Sequence, residues 1–170
     1  MANSSVKFPT FRRTFNNIKG IADKNTLDEV GELVVKAIQE ETRKGRSLVT
    51  RRSLAPLRPS TIASRQRYRG PKGAGFNPRK SNLTLSGQMI DSLDYRTNVG
   101  TTTVRVEPFG QRRIVRSGEK RFSNKRVALF ATDGSANRKP RPFIPVSRLP
   151  NRLLQQIREI FVKSAKRRFS

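Results

Sequence analysis

Two stretches of the chain repeat apolar residues at helical spacing, and each predicts an amphipathic helix. The first begins at Thr26, because Thr26 and Glu29 have the form of a capping box, and Gly45 offers its stop. The second runs from Pro150 to about Lys166. The apolar faces consist of Leu27, Val30, Leu33, Val34, Ala37 and Ile38 in the first helix, and of Leu149, Leu153, Leu154, Ile157, Ile160 and Phe161 in the second.

Between the two helices, the pattern predicts a β-hairpin. Thr and Val dominate residues 95–99 and 102–107, apolar and polar side chains alternate in the second run, and Gly100-Thr101 can turn the chain between them. Before the hairpin, residues 86–93 form a short amphipathic segment.

Three further pieces are shorter. Pro59 can open a short helix, since proline fits a first helical position. Residues 127–131 are apolar and end at Asp133-Gly134, and they fit either a short buried strand or the edge of a helix. After them, the backbone is forced into an extended path by Pro140, Pro142 and Pro145.

The positive charge lies almost entirely in the later part of the chain. The sequence has 37 Lys and Arg against 12 Asp and Glu, for a formal net charge of +25. Residues 1–42 hold six of each sign, so the remaining 31 basic and six acidic residues carry the whole excess. Much of it falls in two predicted basic loops, at about residues 64–82 and 110–126. This asymmetry suggests either a polyanionic partner or a head-to-tail contact between unlike surfaces.

Cysteine and histidine are absent from the sequence. Their absence excludes disulfides, thiolate or imidazole metal ligands, and catalysis that needs an imidazole base. No apolar run reaches the roughly 20 residues that span a bilayer, and residues 1–15 lack the apolar core of a signal peptide. We therefore expect no enzymatic activity, no cofactor and no membrane contact, and folding in a cytoplasm.

The 170 residues leave room for one compact domain. We predict that this domain covers residues 26–170 and that residues 1–25 form an N-terminal arm. The aromatic side chains of the arm dock either on the chain's own core or on a neighbouring subunit; they are Phe8, Phe11 and Phe15.

Three short segments carry a family resemblance when they are read in order. They are LAPLRPSTI at residues 54–62, LTLSGQMIDSL at residues 83–93, and VALF at residues 127–130 followed by RPFI at residues 141–144. In their order and spacing, these segments resemble the tail-completion and virion-morphogenesis proteins of tailed phages, a family of neck proteins that join head to tail. The second segment has Met89 where the family more often has leucine, which keeps the apolar contact.

The resemblance implies an α+β fold, in which an N-terminal helix and a long C-terminal helix pack with a small antiparallel sheet and long basic loops are added. It also implies a structural subunit that forms a ring with copies of itself, between the portal or adaptor and the tail proteins of the same virion. No catalysis and no cofactor are implied. Such a subunit is found in the virion and, during assembly, in the host cytoplasm.

Two groups of residues are candidates for contacts between subunits. The planar guanidinium of Arg141 suits a carboxylate on a neighbour. Phe143 and Ile144 should point to opposite sides, so that one is buried and the other meets a partner, although an ordinary core-anchoring strand is the alternative. The acidic surface of the first helix suits the basic loops of a neighbour, and its candidate contacts are Glu32, Glu40 and Glu41.

The basic loops have two interpretations. They can hold phosphates in a nonspecific contact with DNA in the neck channel, or they can meet acidic surfaces of neighbouring proteins. The candidate residues are Arg65, Arg67, Arg69, Lys72, Arg79 and Lys80 in the first loop and Arg112, Arg113, Arg116, Lys120 and Arg121 in the second.

Two other function classes compete with the neck interpretation. The charge and the arginine-rich loops also fit a basic nucleic-acid-binding protein of ribosomal or nucleoid type. A small nuclease that uses Asp91 or Asp94 is a third hypothesis, but the sequence supplies no nucleophile with an adjacent base and no glycine motif for phosphate beside them.

Overall fold

A computed structural model describes residues 22–84, 86–110, 123–134, 139–145 and 149–169 of the chain. In these ranges it contains five helices and one antiparallel two-stranded sheet, so the predicted α+β class is confirmed. The predicted N-terminal arm falls almost entirely outside the described residues. The elements, in chain order, are α1 (Lys24–Arg43), α2 (Pro59–Gln66), α3 (Gln88–Asp91), β1 (Leu93–Asn98), β2 (Thr103–Pro108), α4 (Asn124–Asp133) and α5 (Asn151–Phe169).

The described residues divide into two compact units. The first unit contains residues 22–36, 94–107, 145 and 149–169, and the second contains residues 37–84, 86–93, 108–110, 123–134 and 139–144. The first unit therefore holds most of the hairpin and α5, while the second holds α2, α3 and α4. Helix α1 supplies residues to both units.

In the first unit, α1 contacts both the hairpin and α5. The hydroxyl of Thr97 on β1 donates a hydrogen bond of 3.0 Å to the carboxylate of Asp28, and the Thr26 and Ser164 hydroxyl oxygens lie 2.7 Å apart. Most of the apolar face predicted for each helix is buried or partly buried, as are the inward residues of β2. The most deeply buried side chains are Leu27, Val30 and Val34 of α1, Val104 and Val106 of β2, and Leu153, Ile157 and Phe161 of α5.

The start of α1 differs from the prediction. Asp23, and not Thr26, is the N-cap: its carboxylate accepts from the backbone N–H of Thr26 at 2.7 Å and from the Thr26 hydroxyl at 2.6 Å. Because that hydroxyl has a single proton, Ser164 must donate to Thr26 in the adjoining contact. The helix is therefore capped three residues earlier than the Thr26–Glu29 pattern indicated.

The second unit buries an apolar cluster among short elements. Helices α3 and α4 are in contact, and Ile90, Ala128 and Phe143 are at most 1% exposed. Residues 127–131, which fitted either a strand or a helix edge, lie inside α4. The hydroxyl of Ser123 caps this helix by accepting from the N–H of Arg126 at 3.1 Å. The predicted second loop was therefore too long at its C-terminal end.

The hairpin and the C-terminal helix agree with the sequence pattern. A turn of residues 99–102 joins the strands and is closed by the Thr102 N–H on the Val99 carbonyl at 3.0 Å. Helix α5 begins at Asn151, directly after Pro150, as predicted, and continues to Phe169. None of the described helices is long and apolar enough to cross a membrane.

Helix α1 ends in a Schellman motif. Gly45 has φ +75°, its N–H donates to the Thr42 carbonyl at 2.9 Å, and the Arg46 N–H donates to the Glu41 carbonyl at 2.9 Å. A Cβ at Gly45 would also lie 2.9 Å from Cε of Lys80. Glycine is thus required here by the backbone conformation and by the packing.

We expect Gly45→Ala to lower the free energy of unfolding by about 1–2 kcal/mol, because an alanine at this φ brings its Cβ against the following carbonyl. Gly100→Ala is the matched control, since a Cβ there meets just one atom within 4 Å, Asn98 Oδ1 at 3.4 Å. Its effect should stay below about 1 kcal/mol. Urea denaturation of both variants measures the difference, and equal effects would contradict the role given to Gly45.

Candidate functional site

Arg141 joins distant parts of the second unit. Its Nε donates to the Ala55 carbonyl at 3.1 Å and to the Ser81 hydroxyl at 2.9 Å, and one terminal nitrogen donates to the Pro56 carbonyl at 3.1 Å. Its backbone N–H donates to the Ala131 carbonyl of α4 at 2.7 Å. The prediction that the Arg141 fork serves a neighbour's carboxylate is therefore wrong for these nitrogens, which bind the chain's own backbone and Ser81.

The three segments that carry the family resemblance are linked within the second unit, where the third contacts each of the other two. Arg141 belongs to the third segment and holds two carbonyls of the first, Ala55 and Pro56. The second segment contains α3, which packs against α4 of the third segment. Residues that lie up to 86 positions apart thus form one structure.

The backbone of the second segment requires a glycine at position 87. Gly87 has φ +75° and precedes α3. Its Cα also lies 2.4 Å from the position that a Cβ on Gly73 would occupy, so the two backbones are in close contact. A side chain at either glycine would separate residue 73 from the start of α3.

Phe143 and Ile144 both lie inside the fold. They are 0% and 3% exposed, so the expectation that one of them faces a partner is wrong. The adjacent Pro142 carbonyl accepts a hydrogen bond from the Ser47 hydroxyl, which fixes the backbone beside them. The stretch 139–143 has no regular secondary structure, so the strict alternation of a strand does not apply to it.

Arg65 is a buried residue of α2, and its placement in a basic loop was wrong. It is 6% exposed, and its guanidinium donates to the Lys80 carbonyl at 2.9 Å and to Asn82 Oδ1 at 3.1 Å. Burial lowers the pKa of Arg65, and the nearby charge of Arg141 lowers it further. A guanidinium used in this way cannot serve as a solvent-facing phosphate contact.

The other candidates of the first loop do reach solvent. The exposed residues are Arg67, Arg69, Lys72, Arg79 and Lys80. The Lys72 ammonium lies 5.4 Å from the centre of the Phe76 ring, and the Arg65 guanidinium lies 5.3 Å from it. The candidates of the second loop lie outside the described residues; they are Arg112, Arg113, Arg116, Lys120 and Arg121.

The three acidic candidates of α1 have different surroundings. Glu32 and Glu40 are exposed, and Glu32 accepts a long contact of 3.4 Å from the Tyr95 hydroxyl. Glu41 pairs within the chain with Arg46 at 2.8 Å and with Lys44 at 3.4 Å. Burial acts to raise the pKa of Glu41, but Arg46 and Lys44 outweigh it and the pKa is lowered. Glu41 therefore stabilises the end of α1.

A cleft in the second unit brings Lys80 of the predicted first loop together with Arg43 and Lys44, which the sequence pattern did not single out. It has a volume of about 490 Å³ and lies between the last turn of α1 and residues 75–80. No sequence signal could locate it, because the two walls are more than 30 positions apart and neither carries a motif. Its lining residues are Glu40, Arg43, Lys44, Gly75, Phe76, Asn77 and Lys80.

The described residues offer no metal centre. No group of three or more Asp or Glu that could hold an ion occurs among them. Of the two residues in the nuclease hypothesis, Asp91 pairs with Arg43 at 2.8 Å and Asp94 accepts from the Tyr95 N–H at 2.8 Å. Neither contact supplies the nucleophile or the adjacent base that the nuclease hypothesis lacks.

Comparison with known proteins gives no relative: no family model, no curated protein and no solved structure matches the chain. The family resemblance therefore depends on the three segments and on how they meet.

We expect Arg141→Lys to lower the free energy of unfolding by about 1.5–3 kcal/mol, because an ammonium cannot reproduce the donors that a guanidinium aims at Ala55, Pro56 and Ser81. Arg67→Lys is the control, since Arg67 is exposed, and its effect should stay within about 0.5 kcal/mol. Urea denaturation measures both. An Arg141→Lys protein with unchanged stability would contradict the role of this junction.

Proposed function

We propose that the chain is a structural subunit of the neck of a tailed bacteriophage, which assembles with copies of itself in a ring between the portal or adaptor and the tail. One observation carries the proposal. The three segments that resemble the neck family are separated along the chain but lie in one unit, where Arg141 of the third binds carbonyls of the first and α3 of the second packs against α4 of the third.

The physical role of each segment supports the same proposal. The first supplies carbonyls for Arg141 and opens α2 with Pro59. The second needs Gly87 for the backbone before α3. The third supplies Arg141 and the buried Phe143. Residues that a family pattern would retain are therefore those on which the second unit depends.

The distribution of charge favours association between unlike surfaces. Glu29 and Glu32 are exposed on α1, while Arg67, Arg69 and Lys72 are exposed after α2. A contact between two different surfaces of identical subunits is heterologous, and it forms a closed ring when its rotation closes. This is the geometry that a neck subunit requires.

A basic nucleic-acid-binding protein is the second candidate. It is favoured by the absence of any acidic residue from Arg43 to Lys80, a stretch with twelve basic residues. Tight binding of the monomer to DNA at physiological salt, measured by a salt titration, would favour this candidate over the neck subunit.

Virion composition tests the neck proposal directly. We expect peptides of this chain in purified virions, in a fixed ratio to the portal protein, when the particles are analysed by quantitative mass spectrometry. A non-structural protein encoded by the same phage serves as the control for contamination and must be absent. If the chain is missing from purified virions, the neck proposal is wrong.

A charge reversal tests the contact between subunits. Glu29→Lys combined with Glu32→Lys should weaken ring assembly, measured by sedimentation velocity, because the exposed acidic surface is lost. The free energy of unfolding should change by about 0.5 kcal/mol or less, as expected for exposed positions. Glu159→Lys, an exposed position on α5, is the control for added charge and should leave assembly unchanged. Assembly that survives the double reversal would remove α1 from the interface.

A further inference from the structure

The cleft between the end of α1 and residues 75–80 gathers positive charge from two parts of the second unit. Arg43 and Lys44 come from the helix, and Lys80 comes from the opposite wall. Glu40 is the one carboxylate of the lining, so the side chains leave a net charge of about +2 at neutral pH. Asp91, which pairs with Arg43, and Glu41, which lies 3.4 Å from Lys44, adjoin the lining and offset part of this charge, so the excess is concentrated on Lys80 and on the exposed side of Lys44.

The two lysines are available to a ligand. Lys44 is 55% exposed, and its contact with Glu41 is long, at 3.4 Å. Lys80 is exposed, and its ammonium has no carboxylate partner among the described residues. The Lys80 stem lies along Gly45, whose missing Cβ would be 2.9 Å from Cε of Lys80. Arg43 pairs with Asp91 at 2.8 Å, so its charge is balanced within the chain.

The wall that carries Lys80 is fixed before any ligand binds. Asn82, which is 0% exposed, donates from its side-chain nitrogen to the Gly75 carbonyl at 2.6 Å. The Lys80 carbonyl accepts from the buried Arg65 at 2.9 Å. Residues 75–82 are thus tied to α2, and little ordering of the backbone is left for the ligand to drive.

The ligand chemistry follows from these surroundings. The cationic groups of Arg65 and Lys72 already lie over the Phe76 ring. The ring therefore has partners within the chain and does not require an aromatic group of the ligand as a partner. Further exposed cations lie in the same stretch of sequence, which has no acidic residue between positions 43 and 80, and such a stretch suits a polymer with a regular negative charge. They are Arg67, Arg69, Lys72 and Arg79.

We propose that this cleft binds a phosphate of a nucleic-acid backbone, with Lys44 and Lys80 as the contacting groups. Such a contact positions a strand without reading its sequence. The inference goes beyond the neck proposal and does not depend on it, because it follows from the cleft alone. A chain that is absent from virions would overturn the neck proposal and leave this one standing.

The test is DNA binding by fluorescence anisotropy over a range of salt concentrations. The probes are a labelled duplex of random sequence and its single strand, which share the phosphate chemistry. Lys44→Gln combined with Lys80→Gln should reduce the slope of log affinity against log salt by about 1 for the duplex, the loss expected for one phosphate contact. The control, Lys36→Gln combined with Lys163→Gln, removes two exposed lysines outside the cleft and should leave the slope unchanged.

A substitution of Glu40 should change DNA affinity in the opposite direction. Glu40→Gln should tighten DNA binding, because it removes the one carboxylate of the lining. Labelled polyglutamate is the competing probe, since an acidic protein surface would present carboxylates. The proposal is overturned if the double lysine variant binds DNA like its control, if Glu40→Gln weakens binding, or if polyglutamate binding falls as much as DNA binding. Circular dichroism confirms that each variant is folded.

Discussion

The second unit depends on guanidinium groups that are paired with uncharged acceptors. Removing a cation from water is costly, and the cost is recovered when each N–H meets an acceptor in good geometry. Arg141 donates to Ala55, Pro56 and Ser81, and Arg65 donates to Lys80 and Asn82. A guanidinium can do this because its donors point in several fixed directions, so one side chain can hold segments that have no hydrogen-bonded ladder between them.

This arrangement explains how a chain with few apolar residues keeps a long irregular region in one conformation. The apolar share of the sequence is 34%, and residues 44–87 contain one helix of eight residues and an isolated bridge between Arg46 and Ser53. In this region, buried polar side chains supply the hydrogen-bond partners that neighbouring strands would supply in a sheet. Such partners are needed because backbone groups away from water must be hydrogen-bonded. Asn82 and Ser47 serve the backbone in this way, and the apolar cluster of Ile90, Ala128 and Phe143 fills the space beside them.

The elements that could be predicted from the sequence are those defined by local periodicity. The helix faces of α1 and α5 and the hairpin repeat at their own spacing, and the structure confirms them. The misassigned features depend on contacts between distant residues. Asp23 and Thr26 are both good caps, and only the fold selects Asp23. Arg65, Arg141 and Ile144 look like surface residues or half-exposed ones in the sequence, but their partners lie far away along the chain. The cleft has no sequence signature, since it exists only where the end of α1 faces residues 75–80.

The uncharged acceptors of Arg65 also decide how the molecule responds to acid. A carbonyl and an amide take up no proton under conditions in which proteins remain folded, so this link does not weaken as the pH falls. The carboxylates of α1 behave differently. Hydrogen bonds from Thr26 lower the pKa of Asp23, and the hydrogen bond from Lys24 lowers that of Asp28. Each depressed pKa stabilises the fold above the carboxylate's ordinary pKa, and this stabilisation is lost as the pH falls through the lowered value. Acidification therefore loosens the beginning of α1, and protonation of Glu41, whose pKa is also lowered, loosens the end of that helix, while the links of Arg65 and Arg141 to uncharged acceptors persist.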